Sequence, residues 1–381
     1  MVRQWGDLDP SLARRLDGPD PEAIYTWWKS SDPAQDRPLG ALLGLACGDA
    51  LGTTLEFTRP GPQPWSPLLE GPHQSISGGG PFRLLPGQVT DDTHMACCLA
   101  ASLRAHDGVF HASDVAQRYA AWSRAAFDIG GQTRGALSTF VSHGNPATSG
   151  LEIWRARGRD VAGNGALMRC APIAVLVGSA ADPGHARAQA QRQATIADAL
   201  ITHADPRCCL ASACFIAALA AGIAGADAAA MHAAALAEIA PAAAALRPFM
   251  EEDEQAPISA AEAALAEDLT LATHDDPDLY GAIDLAGGAQ GFVRVAFRLA
   301  FWELLHAPSW RAGVIDAVNR GGDADTNGAI VGALLGAHHG LSAIPDQWLK
   351  QVLDCQPPAP WNAQWHPREL LPRLRSNDCG Q

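Results

Sequence analysis

Residues 319–337, NRGGDADTNGAIVGALLGA, decide how the rest of the chain is read. Gly321 and Gly322 let the backbone approach its neighbours closely, and Asp323, Ala324, Asp325 and Thr326 then stand at the doorway of an apolar run. Its apolar residues recur at helical spacing, not in alternation, and Thr326 is placed to cap a helix from Asn327 to Gly340.

The same spacing recurs outward along the chain. It predicts helices over Leu39–Leu51, Asp92–Ala105, Ser113–Phe127, Ala186–Ile201, Pro206–Ile223, Ala228–Pro248, Ser259–Leu271, Gln290–His306, Arg311–Asn319 and Asn327–His339. Asp205-Pro206 supplies a capping acid followed by proline at the first helical position. Aromatics are only 6% of the residues, and Ala, Leu, Arg and Glu outnumber the residues that strands prefer. The expected class is all-α.

Composition narrows the function. The chain has 381 residues, is 48% hydrophobic, and carries 27 Lys+Arg against 41 Asp+Glu, a net charge of −14. This is globular, and its acidity disfavours nucleic acid as a partner. The opening MVRQWGDLDP has no apolar signal region, and the most apolar stretch, Cys209 to Ile223, is broken by Ser and many Ala, so neither a signal nor a membrane span is expected. Nine cysteines without a C-x-x-C or a Cys/His zinc spacing read as reduced, buried thiols of a cytoplasmic protein.

Two regions are not helical in pattern. Residues 1–38, with Trp27 and Trp28, form an N-terminal extension. Residues 59–88 are rich in Gly and Pro and suit a lid beside a site. The Ala-rich segment 211–265 resembles low complexity, but its spacing of Leu, Ile, Met and Phe suits tightly packed helices.

Thr90, Asp91, Asp92 and Thr93 open a helix, where the dipole and free N–H groups tolerate acids even without a function. The second cluster changes that weighing. Asp323 and Asp325, two apart in a turn, can aim at one point while Thr326 adds an oxygen, which suits a hard cation such as Mg2+ or Mn2+. Four aspartates and two threonines from two helix starts are the right inventory for a pair of divalent ions. Glu56 closes GLACGDALGTTLEF, residues 44–57, just before the Gly/Pro segment; it is a candidate ligand or base, or a solvated acid. Gly44, Gly48 and Gly52 recur every four residues, as on a helix face packed closely against another helix. Gly163-Asn164-Gly165 is a turn running into a helix whose N–H groups can hold phosphate, and His203 lies in a loop between helices.

In this order, GLACGDALGTTLEF, GQVTDDTHMA, GNGALMR, THADPR and NRGGDADTNGAIVGALLGA resemble the ADP-ribosylglycohydrolase family. The resemblance spans 39–341, leaving 1–38 and 342–381 as extensions, and implies a single compact multi-helix domain with two Mg2+ or Mn2+ ions below an ADP-ribose cleft. It implies Thr90, Asp91, Asp92, Asp323, Asp325 and Thr326 as metal ligands, and Glu56 and Asp92 as catalytic residues. Gly163, Asn164 and Gly165 match the diphosphate loop, and His203 a residue contacting ribose.

The expected activity is removal of ADP-ribose from a modified protein, from arginine in the bacterial arginine-directed branch whose wording GNGALMR and GGDADT match. An ADP-ribosylated protein is then the substrate partner. Two other readings are a binding protein that occludes an ADP-ribosyltransferase toxin through Trp27 and Trp28, and a two-metal phosphoesterase.

Overall fold

A computed structural model describes residues 33–58, 71–178, 184–275, 290–362 and 364–371. Most of the N-terminal extension, with Trp27 and Trp28, and the first part of the expected lid, 59–70, lie outside the described residues. Fourteen α-helices are present among the described residues: α1 Asp36–Gly52, α2 Asp91–Ala105, α3 Ala112–Ser123, α4 Gly131–His143, α5 Ser149–Ala156, α6 Ala171–Leu176 and α7 Gly184–Thr202. They continue as α8 Pro206–Ile223, α9 Ala228–Leu246, α10 Gln255–Ala272, α11 Val293–His306, α12 Trp310–Asn319, α13 Ala324–His339 and α14 Asp346–Asp354. Two isolated β-bridges, Gly79 with Leu84 and Gly163 with Phe292, are the only extended pairings described.

Among the described residues the most extensive helix–helix contact is between α1 and α13. Every fourth residue of α1 is glycine, and its face meets the matching face of Gly336, Gly332, Gly328 and Ala324 on α13. A β-carbon at Gly40, Gly44 or Gly48 would lie 2.3, 2.2 or 1.9 Å from the carbonyl oxygen opposite. Backbone therefore touches backbone along the pair, which runs antiparallel. Trp310 donates its indole N–H to the Gly332 carbonyl at 2.9 Å and closes the side of the seam.

The other long helices wrap this pair through one core in which Trp122, Trp154, Trp302 and Trp310 are fully buried. Helix α8 is long and apolar enough to cross a membrane, as is the stretch Ala228–Phe249, but α8 packs against α7, α9, α10 and α13. Its apolarity serves the bundle interior. Asp205 caps it as expected, accepting the Arg207 N–H. The eight described cysteines are free and buried.

Several boundaries differ from the pattern-based reading. Helix α13 starts at Ala324 with Asp323 at its cap position, so Thr326 lies in the first turn and does not cap. Helix α3 stops at Ser123, four residues short of Phe127. Gly163-Asn164-Gly165 enters a single 3-10 turn, Asn164–Ala166, and the next α-helix is only Ala171–Leu176. Packing also crosses both edges of 39–341. Asp36 accepts from Ser342 N at 2.9 Å, and Arg37 donates to the Gly222 and Ala226 carbonyls. Trp348, Leu349, Val352 and Leu353 of α14 are buried in the common core.

Candidate metal centre and substrate cleft

The glycine seam decides where the acids stand. Because α1 and α13 touch through bare backbone, Asp49 on α1 is carried beside the first turn of α13, which holds Asp325 and Thr326. Helix α2 begins alongside with Asp91 and Asp92 in its first turn. The turn after α1 brings in Glu56, and two backbone bonds tie it to the glycine turn before α13: Phe57 N–H to Gly322 O at 2.6 Å and Gly322 N–H to Thr58 O at 3.1 Å. Gly321 and Gly322 have φ of 72° and 69°, a conformation open to glycine at little cost.

The oxygens crowd together. The Thr90 hydroxyl lies 3.0 Å from Asp49 Oδ1, 3.2 Å from Asp92 Oδ2 and 3.2 Å from Asp325 Oδ2, and the Thr326 hydroxyl lies 3.4 Å from Asp92 Oδ2. Ligand atoms of Asp49, Asp92 and Asp325 fall within 4.8 Å of one another, and so do those of Glu56, Asp323 and Asp325. Asp325 belongs to both groups. Asp91 faces Asp128 instead, and the two share a hydrogen bond.

The residues themselves test whether a metal fits. Asp92 Oδ1 and Glu56 Oε2 are buried and have no hydrogen-bond partner among the described residues. The cleft lining contains four aspartates and Glu56 but no Lys or Arg. Uncompensated carboxylates cannot all stay ionised at such separations. Burial, and then the neighbouring acids, push Glu56 up to about 9. The same causes take Asp128 to about 7, and burial takes Asp49 to about 6. Asp91, Asp92 and Asp325 are raised well above the carboxylate range, with burial the largest cause. A purely oxygen donor set of this charge suits hard divalent cations, and the shared Asp325 suits two of them.

A pH dependence follows for the protein stripped of cations. These carboxyls bind protons more tightly folded than unfolded, where they titrate near roughly 4. Their contribution to stability is thus complete below the unfolded value and is lost as pH rises through about 6, 7 and 9 for Asp49, Asp128 and Glu56. In EDTA, the melting temperature should be higher at pH 6 than at pH 9, and saturating Mn2+ should shrink that difference. A melting temperature that is higher at pH 9 in EDTA would contradict the crowding of unpaired carboxylates.

Above the acids lies a cleft of about 260 Å3. One wall is the start of α4, where Gly130, Gly131, Gln132 and Thr133 present the first-turn N–H groups. Gly163, Asn164, Gly165 and His203 adjoin it, with the Gly163 N–H donating to Gln132 Oε1 at 3.3 Å. Close approach favours small residues here: a β-carbon at 165 would lie 2.7 Å from His203 Cε1, and one at 163 would press on Gln132 Oε1 at 3.1 Å. Asn164 donates its amide to Asp323 Oδ2 at 2.7 Å, linking this wall to the acids. His203 is buried, bonded to Thr202 Oγ1 at 2.8 Å, and held neutral down to about 3 by burial and the Arg169 charge. Arg169 is fully buried, paired with Asp198 at 3.0 Å and placed over Tyr119; it braces the wall from behind.

The sequence-selected residues thus gather at one place, with Asp91 set toward the rim. Three contributors escaped the sequence reading. Asp49 stood inside the glycine face of α1, and an acid on a face otherwise free of polar side chains was the available signal. Asp128 and Gln132 line the cleft, each in a segment without a recognisable pattern, while Thr93 of the TDDT run, not among the expected ligands, bonds Asp49. Of the expected lid, residues 71–88 belong to the body: His73 N–H donates to Asn319 Oδ1 at 3.0 Å and Asn319 Nδ2 returns to His73 O at 2.8 Å.

Two other features are set aside on chemistry. A larger hollow of about 920 Å3, lined by Val109, Phe110 and Phe249, has Asp107 as its one acid. The trio Glu251, Asp253 and Glu254 is compensated by Arg155 and Arg159.

Comparison with known proteins bears on the same assembly. A family model described as ADP-ribosylglycohydrolase matches residues 30–374, a span wider than 39–341 at both ends, as the packing of α1 and α14 requires. The chain is 29% identical over 322 residues to the ADP-ribosyl-[dinitrogen reductase] glycohydrolase of Rhodospirillum rubrum, covering 83% of this chain and 90% of that protein. It is 29% identical over 378 residues to the ADP-ribosylarginine hydrolase Tri1 of Pseudomonas putida (strain GB-1), covering 92% and 88%. A solved structure, an ADP-ribosylglycohydrolase-related protein complex, superposes with a TM-score of 0.60 at 32% identity, covering 84% of this chain and 93% of that one.

Proposed function

The chain belongs to the ADP-ribosylglycohydrolase family and is an ADP-ribosylhydrolase; from that premise we propose that it removes ADP-ribose from arginine of a modified protein with the help of two divalent cations, Mg2+ or Mn2+. The observation that carries the reading is the crowding of buried oxygens around Asp325, with Glu56 and Asp323 on one side and Asp92 and the Thr90 hydroxyl on the other, on the floor of a cleft with no Lys or Arg in its lining.

In this reading Thr90, Asp91, Asp92, Asp323, Asp325 and Thr326 hold the ions. Bound cations would orient the ribose hydroxyls, acidify a water and offset the charge of the diphosphate. The first-turn N–H groups of α4 would take the diphosphate, closed in by the Gly163-Asn164-Gly165 turn, whose Gly163 and Asn164 N–H groups are held by Gln132 Oε1 and Gly291 O, and His203, neutral and bonded to Thr202, would meet the ribose. Cleavage at the anomeric carbon builds positive charge on the ribose, which the surrounding carboxylates stabilise. With cations bound to draw down its proton affinity, Glu56, which has one oxygen unbonded and lines the cleft, would take the proton of the attacking water, and Asp92, buried beneath the lining, would help to place that water through the ions it holds. Asp128, beside Asp91 in the cleft lining, would attract a cationic guanidinium leaving group; a serine O-glycoside would offer it no charge. The buried thiols among the described residues suit the expected cytoplasmic location.

Two defined peptides, one ADP-ribosylated on Arg and one on Ser, decide the linkage by mass spectrometry. Release of intact ADP-ribose from the Arg peptide at a rate at least about tenfold above the Ser peptide is expected, roughly the effect of one well-placed charge pair. Release from Ser with Arg untouched would overturn the choice of arginine, and AMP as product would turn the reading to a phosphoesterase. Nothing among the described residues favours a toxin-occluding binder over catalysis.

A further inference from the structure

Helix α2 has an unusual N-terminus. Thr90 occupies its cap position with extended backbone, φ −113° and ψ −158°, yet its side chain makes no capping hydrogen bond. A threonine there ordinarily accepts the N–H two or three residues on. That third residue is Thr93, and its N–H donates to Asp49 Oδ2 of α1 at 3.2 Å. The Thr93 hydroxyl donates to the same oxygen at 2.5 Å. Thr90 gives both its N–H and its hydroxyl to Asp49, at 3.0 Å each to Oδ1. One carboxylate, fully buried, thus receives four donors from the first turn of another helix.

The consequence lies in the direction of one proton. A hydroxyl has one hydrogen and two lone pairs. Once the Thr90 hydrogen is directed at Asp49, the oxygen presents lone pairs to the space it shares with Asp92 Oδ2 and Asp325 Oδ2, each 3.2 Å away. Three oxygens with electron density turned inward repel one another unless a cation stands between them. Were Thr90 to cap its own helix, its oxygen would turn toward the Thr93 N–H and leave that space. The glycine seam fixes Asp49 for this task, because Gly48 beside it abuts the Gly328 backbone and leaves α1 no freedom to shift.

We propose that Asp49 is a positioning residue of the metal centre: it caps α2 in place of Thr90 and aims the Thr90 oxygen at the cations. The assignment rests on the metal-dependent reading above and concerns a residue outside the ligand set inferred from sequence. Outer residues that orient ligands commonly matter to metal affinity by roughly 10- to 100-fold.

The test is Mn2+ binding by the full-length protein, followed by calorimetry and by the electron paramagnetic resonance of free Mn2+, with circular dichroism to confirm folding. Asp49→Asn should weaken binding at least about tenfold, because an amide oxygen cannot serve Thr90 and Thr93 together and its NH2 opposes a donor. Thr90→Val should weaken it as well, and the double variant should be no weaker than the worse single within about threefold, since both act through one oxygen. Thr93→Val, which leaves every carboxylate in place, should lose about threefold or more while Thr93→Ser stays within about twofold. This pair decides the matter even if Asp49→Asn does not fold. Unchanged affinity in Asp49→Asn or Thr93→Val would overturn the assignment, and multiplied losses in the double variant would overturn it by making Asp49 an independent ligand. If the wild-type chain binds no Mn2+, the metal reading itself fails and takes this assignment with it.

Discussion

Asp92→Asn is expected to lower turnover by roughly a thousandfold or more, about 4 kcal/mol of transition-state stabilisation, without loss of helical structure. Asp92 is fully buried, with Oδ2 beside the hydroxyls of Thr90 and Thr326 and Oδ1 unbonded. The amide keeps the shape but removes the charge and replaces one oxygen by a donor, which is the wrong chemistry toward a cation. The same change removes the cost of burying a charge and then the repulsion from Asp49, Asp323 and Asp128, which together hold Asp92 above the carboxylate range in the absence of a metal. The variant should therefore melt at the same temperature as the wild type or higher in EDTA, while losing activity in Mg2+ or Mn2+. Stability and function pull apart at this residue, as is common where a site stores unfavourable charge. Single-turnover release of ADP-ribose, run beside thermal melts in EDTA, checks both halves; turnover within tenfold of wild type would remove Asp92 from the machinery.

The acids were legible because each stands at a helix start with a local signature. TDDT and GGDADT place carboxylates beside threonines at the beginning of apolar runs, and such chemistry can be recognised within four to six residues. Asp49 was not legible in that way, since its partners lie on α2 and its role appears only when two helices meet. Asp128 follows the irregular end of α3 and precedes Gly130, in a segment with neither period nor cap. Helix α4 escaped notice for a related reason. Of its thirteen residues only Gln132, Thr133, Ala136, Leu137 and Phe140 are buried, too sparse an apolar stripe to stand out from GQTRGALSTFVSH. Helix α14 is short, and its amphipathic DQWLKQVLD lay beyond the last motif, so residues 342–371 looked separable although their side chains complete the core. Long buried helices were read to within about four residues at each end; short helices that complete walls depend on tertiary packing and were not.

Gly48→Ala is expected to cost about 3 kcal/mol or more, at the upper end of what overpacking a core does and a large share of the roughly 5–15 kcal/mol that stabilises a typical domain. The added methyl would sit 1.9 Å from the Gly328 carbonyl oxygen and 2.4 Å from its carbon, and both are backbone of a helix that cannot rotate out of the way. In an ordinary helix interior alanine is better than glycine by about 1 kcal/mol, so helix propensity predicts the opposite sign. The seam reverses it, because α1 and α13 must separate by more than an ångström to admit the methyl, and the contacts at Gly40–Gly336 and Gly44–Gly332 would be lost with it. Function should suffer beyond the loss of stability, since the seam sets the distance from Asp49 to Asp325 and any folded fraction would hold a widened metal centre. Gly131→Ala, where no heavy atom lies within 4 Å of the new methyl, serves as the control and should unfold within about 1 kcal/mol of wild type. Denaturant midpoints and Mn2+ affinity of the two variants measure both effects; a Gly48→Ala protein as stable as the control would mean that the two helices do not approach through bare backbone.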